Sequence, residues 1–187
     1  ICQIFKKKPK ISGYLNDNVN LSINLASLFT SNKLLNLISK ILKIKKEKII
    51  FNNQRFRIQI PGNDEISNLP WHQDIHYNNV KNTSSVVAWI SLSDISEQMG
   101  PITFKKRSHK LKKIKPLIMK KKNGGYVFKV DVANSKIQKL KNYSTQTCSG
   151  DLILIDMCSL HTSGVNKTRF DIKYSAQARY HAIKKFK

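Results

Sequence analysis

Leu69-Pro70-Trp71-His72-Gln73-Asp74 sets His72 and Asp74 two residues apart. Side chains two apart on an extended strand share one face, so an imidazole and a carboxylate converge on one point. His161 supplies a second imidazole from far downstream. Two nitrogens and one oxygen on one side of an ion make the facial set that suits non-haem Fe(II) and leaves positions open. A His-x-Asp pair alone is a weak signal. The segments around it give it weight.

Downstream, Ser85-Val86-Val87-Ala88-Trp89-Ile90-Ser91-Leu92 is β-branched and bounded by turn residues, which predicts a buried strand. Gly100-Pro101 breaks the chain before a short strand at Ile102-Thr103-Phe104. The Lys-rich 105–123 reads as a solvated loop, Tyr126 to Val130 as a strand, and 134–146 is ambiguous. Gly150-Asp151 turns into the buried strand Leu152 to Asp156, which delivers His161 inward. Asp171 to Ile183 is a long alternating strand. Lys173, Ser175, Gln177 and Arg179 fall on one face and Ile172, Tyr174, Ala176, Ala178 and Tyr180 on the other.

Upstream, Pro61-Gly62 turns the chain after two predicted strands, Ile49 to Phe51 and Phe56 to Ile60. Leu34, Leu35, Leu37, Ile38, Ile41 and Leu42 recur at helical spacing, predicting an amphipathic helix over 31–46, capped by Ser31, that covers one face of a sheet. Residues 1–30 are polar, Asn-rich and poorly patterned. Many short strands with turn signals argue for a mainly β sandwich or barrel, the jelly roll being the version that leaves a cavity between its sheets. The expectation is one domain over 1–187, with a jelly-roll core at 50–183.

The formal net charge is +23, yet only five of the 34 basic residues are Arg. Lys, Asn and Ile are over-used together, a bias that AT-rich codons explain. The Lys runs lack the aromatic interleaving and the Arg of a nucleic-acid reader, so no specific nucleic-acid partner is expected. A small-molecule substrate is expected, and the positive field would favour an anionic one. No apolar run is long enough to span a bilayer, and residues 1–12 lack the pattern of a signal peptide. The chain opens on Ile1 rather than Met, which is expected of a shortened N-terminus. Cys2, Cys148 and Cys158 are odd in number and widely spaced; a reducing cytoplasm fits, and Cys158 reads as a buried small hydrophobe. Oligomeric state is not legible.

Several segments, in order, resemble the phytanoyl-CoA dioxygenase family. They are Pro70 to Asp74, Val87 to Asp94, Met99-Gly100-Pro101-Ile102, Ser108-His109-Lys110, Ser149-Gly150-Asp151-Leu152, His161 to Asn166, and Lys173-Tyr174-Ser175 through Arg179-Tyr180. Together they cover roughly residues 50–181. The chain departs from the family in three places. Lys106-Arg107 replaces the usual Pro-Gly before Ser108, the family's N-terminal strand and helix are hard to find, and Lys173 stands where the family carries an Arg.

The resemblance implies a double-stranded β-helix, cupin-like, with covering helices. It implies an Fe(II)- and 2-oxoglutarate-dependent dioxygenase that uses O2, hydroxylates a small molecule and releases succinate and CO2, with ascorbate as a supporting reductant. His72, Asp74 and His161 would hold the metal. The far carboxylate of 2-oxoglutarate, a buried anion, needs a charge-assisted partner, and Lys173 can supply a point charge in place of the Arg fork. Ser163 and Gln54 match positions that contact the cosubstrate, and Arg179 is the substitute cation. Trp89 reads as core first and pocket wall second. Gln73, opposite in phase to His72 and Asp74, has a structural hydrogen bond as its bland role. His76, His109 and His181 read as surface or strand-end histidines. The alternatives are a jelly-roll binding protein that has lost turnover, with Lys173 as its lesion, and a nucleic-acid-directed oxygenase. A zinc hydrolase lacks a general base beside the ligands, and Asp74 occupies the site that halogenation needs vacant.

Overall fold

The computed structural model describes residues 2–62, 69–77, 84–120 and 125–182. Four helices open the chain: α1 (Cys2–Lys7), α2 (Pro9–Asn20), α3 (Ile23–Thr30) and α4 (Asn32–Leu42). The first three replace the unpatterned segment expected over 1–30. Their local signal is faint. Ser22 caps α3 by accepting a hydrogen bond from the Leu25 amide at 3.2 Å, and Leu25 and Phe29 are the buried residues of that helix. α4 matches the predicted amphipathic helix and buries Leu34, Ile38 and Leu42. Ser31 sits at its N-cap without a side-chain capping bond, and Lys43 ends it in the left-handed conformation.

Among the described residues nine strands follow: β1 (Ile49–Gln59), β2 (Ser85–Ser91), β3 (Ile102–Lys105), β4 (Leu117–Lys120), β5 (Tyr126–Lys129), β6 (Asn142–Thr145), β7 (Leu152–Asp156), β8 (His161–Ser163) and β9 (Lys173–Ala182). A short helix, α5 (Ser135–Gln138), precedes β6 and divides the ambiguous 134–146 stretch. The larger sheet runs β1-β9-β2-β7 and the smaller β6-β3-β8, all antiparallel. His72 adds a single antiparallel bridge to the free edge of β8. This is the mainly β, jelly-roll architecture that the strand pattern implies.

The two strands expected in 49–60 are one strand. A register shift between Asn52 and Arg55, with Asn53 at φ 51°, bulges it and mimics a break. The Lys-rich segment also carries order: a 3₁₀ turn at Ser108–Leu111, then β4, which pairs with β5. Residues 121–123 of that segment lie outside the described part.

β9 lies between β1 and β2 and so has two unlike faces. Ala176, Ala178 and Tyr180 pack with Val86, Ala88 and Ile90 against α3 and α4. Tyr180 donates its hydroxyl to the Phe29 carbonyl at 2.7 Å, tying α3 to the sheet. The opposite face turns toward the smaller sheet, where Val87, Trp89, Ile155 and Met157 pack with Ile95, Met99 and Ile102. The site lies in the gap between the sheets. Among the described residues, no helix is long and apolar enough to cross a membrane.

Candidate metal centre and cosubstrate pocket

His72 and His161 face each other through a reciprocal backbone pair, His72 N to His161 O at 2.9 Å and His161 N to His72 O at 3.1 Å. The expected His-x-Asp strand shrinks to this one bridge, because the chain turns at once into a 3₁₀ helix at Asp74–Tyr77. That turn brings the Asp74 carboxylate back toward the imidazoles. One ligand atom from each of His72, Asp74 and His161 lies within 4.8 Å of the others, and all three residues are buried.

The imidazoles are oriented for a metal. His72 donates from Nδ1 to the Pro70 carbonyl at 2.8 Å, and His161 from Nδ1 to the Ser159 carbonyl at 2.9 Å. With the proton fixed on Nδ1, each Nε2 keeps its lone pair for an ion. Burial, with His161 nearby, pushes the His72 pKa down to about 3, so the ring is neutral as a ligand must be. Burial raises the Asp74 carboxyl, but His161, Arg179 and His72 together outweigh it and bring the group down to about 2. Asp74 Oδ2 stands 3.6 Å from His161 Nε2. This donor set fits a divalent ion such as Fe(II) with open positions.

Gln73 turns away from the centre and is fully buried. Its Nε2 donates to the carbonyls of Lys112 and Cys158 at 2.8 and 2.6 Å, and its Oε1 accepts from the Ile114 amide at 2.9 Å. It clamps the segments that flank the His-x-Asp turn, the structural role expected of it. Cys158, expected buried, is half-buried. His181 is buried, bonded through Nδ1 to the Ser85 hydroxyl at 2.8 Å.

A cavity of about 530 Å³ opens beside the three ligands. Lys173, Ser163, Trp89 and Arg179 all line it, Trp89 also belonging to the core between the sheets. Lys173 is buried rather than solvated. Its Nζ donates to the Gly100 carbonyl at 2.6 Å, and burial, with Arg57 nearby, brings the ammonium down to about 8. An ammonium has three protons, so this bond leaves others for a ligand. Arg179 makes a different contact from the one expected: Nη2 donates to Asp74 Oδ1, tying the guanidinium to the carboxylate of the candidate centre.

Gln54 lies outside the cavity. Its Nε2 donates to the Asn20 carbonyl of α2 at 2.9 Å. From the bulge onward, the odd-numbered residues of β1 face inward, so Asn53, Arg55, Arg57 and Gln59 line the cavity and Gln54 points to the helices. Arg57 and Gln59 were not singled out from the sequence. The signal that finds them is the alternation Arg55-x-Arg57-x-Gln59 against Phe56 and Ile58. Gln59 donates to the Gly164 carbonyl at 2.9 Å.

Gly100 and Gly164 cross in van der Waals contact. Gly100 has φ +66°, and a Cβ there would meet the Gly164 carbonyl oxygen at 2.3 Å. A Cβ on Gly164 would meet Gly100 Cα at 2.9 Å. This crossing presents one carbonyl to Lys173 and the other to Gln59.

No curated protein sequence matches the chain. Solved structures share its fold. The epimerase SnoN in complex with Fe3+, alpha ketoglutarate and nogalamycin RO superposes with a TM-score of 0.66 at 16% identity, over 86% of this chain and 59% of that one. EvdO2 from Micromonospora carbonacea var. aurantiaca complexed with 2-oxoglutarate gives 0.66 at 17%, over 86% and 64%. EctD from S. alaskensis with 2-oxoglutarate and 5-hydroxyectoine gives 0.65 at 16%, over 88% and 54%. The chain therefore spans less than two thirds of these proteins. The family model described as phytanoyl-CoA dioxygenase (PhyH) matches residues 7–173, and with that match the chain belongs to this family.

Proposed function

We propose that the chain is an Fe(II)- and 2-oxoglutarate-dependent dioxygenase that hydroxylates a small molecule and releases succinate and CO2. The observation that carries this reading is the buried His72, Asp74 and His161 cluster, in which both Nδ1 protons are committed to carbonyls and His161 Nε2 stands 3.6 Å from the carboxylate. Fe(II) with 2-oxoglutarate and O2 supplies the oxidising chemistry when bound. The protein's own residues hold, orient and enclose. His72 and His161 ligate through Nε2, and Asp74 adds one negative charge. Lys173 and Ser163 receive the far carboxylate of 2-oxoglutarate, and Trp89 keeps one wall apolar. Gln54 has no part in this site. Arg179 serves Asp74 rather than the cosubstrate.

Against the reading of a binding protein with lost turnover stands Lys173, buried at the cavity with its Nζ on the Gly100 carbonyl. The test is iron stoichiometry followed by a small-molecule library screened for succinate release with Fe(II), ascorbate and 2-oxoglutarate. One iron per chain, lost in Asp74→Ala, and substrate-stimulated succinate are expected. A chain that binds both iron and 2-oxoglutarate yet never forms succinate is a binding protein instead.

A further inference from the structure

Four cations line the cavity in two adjacent rows. Arg55 and Arg57 come from β1, Lys173 and Arg179 from β9, and Arg57 pairs in register with Ser175, midway along that face. Asp74 is the one acid among the described residues that line it. Like charges on neighbouring strands repel, and burying a guanidinium without a counter-ion is costly.

The centre's own components leave this excess standing. Resting on the proposed function, Fe(II) and the 2-oxoglutarate dianion cancel in formal charge, and Asp74 is matched by Arg179. The cosubstrate's two carboxylates are engaged at the metal and at Lys173. Arg57 and Arg55 remain. Among the described residues, neither forms an ion pair or a side-chain hydrogen bond, and Arg57 is half-buried. Burial and the nearby Arg55 and Arg179 hold the Arg57 pKa below its ordinary value.

We infer that Arg57 is the specificity-determining residue for an anionic primary substrate, whose carboxylate or phosphate it pairs with inside the cavity. A planar guanidinium takes either oxyanion through two parallel hydrogen bonds. Arg55, exposed at the same strand, stands at the outer end of that row.

The test loads the protein anaerobically with Fe(II) and 2-oxoglutarate, then measures binding of matched probes by calorimetry. The pairs are benzoate with benzamide, hexanoate with hexanamide, and phenyl phosphate with phenol. At least one anion is expected to bind ten or more times tighter than its neutral twin. Arg57→Gln is expected to erase that preference and Arg57→Lys to restore part of it. A carboxylate winner and a phosphate winner both support the inference and separate the two sources of the anion. Equal affinity within every pair, no binding by any anion, or an undiminished preference in Arg57→Gln overturns it. Failure of the wild-type chain to bind iron and 2-oxoglutarate in the loading step overturns the oxygenase reading, and with it this inference.

Discussion

Arg179 on β9 donates through Nη2 to Oδ1 of Asp74, joining residues 105 apart in sequence at the candidate iron ligand. Breaking a buried pair from one side leaves an uncompensated charge, so Arg179→Ala is expected to cost the metal-free protein about 3–5 kcal/mol. Iron binding and stability are linked, so the loaded protein is expected to lose more, by the free energy of iron binding that the variant forfeits. Losing the partner that orients a ligating carboxylate is also expected to weaken iron binding by about 10–100-fold. Urea unfolding with and without Fe(II), beside an iron titration, reads both. Equal destabilisation in both states would mean that Arg179 serves packing alone.

Lys173 predicts a pH dependence. Its ammonium titrates at about 8 in the free protein. A dianionic cosubstrate prefers the charged form, so binding raises that pKa. Affinity for 2-oxoglutarate is therefore constant below pH 8. Above it, affinity falls by about tenfold per unit until the bound-state pKa is reached. Lys173→Arg, with a cation that does not titrate in this range, is expected to keep affinity flat to pH 10. Calorimetric titration across pH 7 to 10 checks the sign, and a flat wild-type profile would remove Lys173 from the cosubstrate site.

Gly164→Ala tests the crossing beneath Lys173. The new Cβ would lie 2.9 Å from Gly100 Cα, a backbone atom that no side-chain rotation relieves. Overpacking of this kind costs about 1–3 kcal/mol. The two carbonyls that anchor Lys173 and Gln59 must then shift. A lower melting temperature with a raised 2-oxoglutarate requirement is expected, iron affinity changing little. A drop in stability alone would separate the crossing from the cosubstrate site.

What the chain showed in advance, and what it hid, follows from how each residue is held. β9 was legible because its two faces meet different surroundings, which imposes a clean period of two from Lys173 to Tyr180. The His72, Asp74 and His161 cluster was legible from the motifs around it, although the strand predicted there is a single bridge and a turn. α3 was hidden because two buried residues, Leu25 and Phe29, and a bond from Tyr180 hold it, and these are tertiary terms. Gln54 was misplaced because the bulge at Asn52/Arg55 decides which residues of β1 face inward. Arg57 was overlooked for the same reason. Its charge reads as surface until β1 is placed beside β9.

Gln73 gives the sharpest separation of support from chemistry. Its side-chain hydrogen bonds go to two carbonyls and one amide on segments that flank the His72 and Asp74 turn, and not to the candidate ligands. Gln73→Leu keeps the volume roughly and strands all three groups, at about 1–3 kcal/mol for each that stays dry. Water entering the space would lower that cost. Gln73→Glu keeps the acceptor for Ile114 but turns the two donor contacts into oxygen facing oxygen, and it adds a negative charge beside the centre. Gln73→Leu is therefore expected to lose stability with a near-normal iron affinity in the fraction that stays folded. Gln73→Glu is expected to lose stability and also to alter iron affinity through its charge. Iron titrations at a temperature well below each variant's unfolding midpoint make the comparison. If Gln73→Leu abolishes iron binding while its melting temperature is unchanged, the clamp acts on the ligands directly and not through the fold.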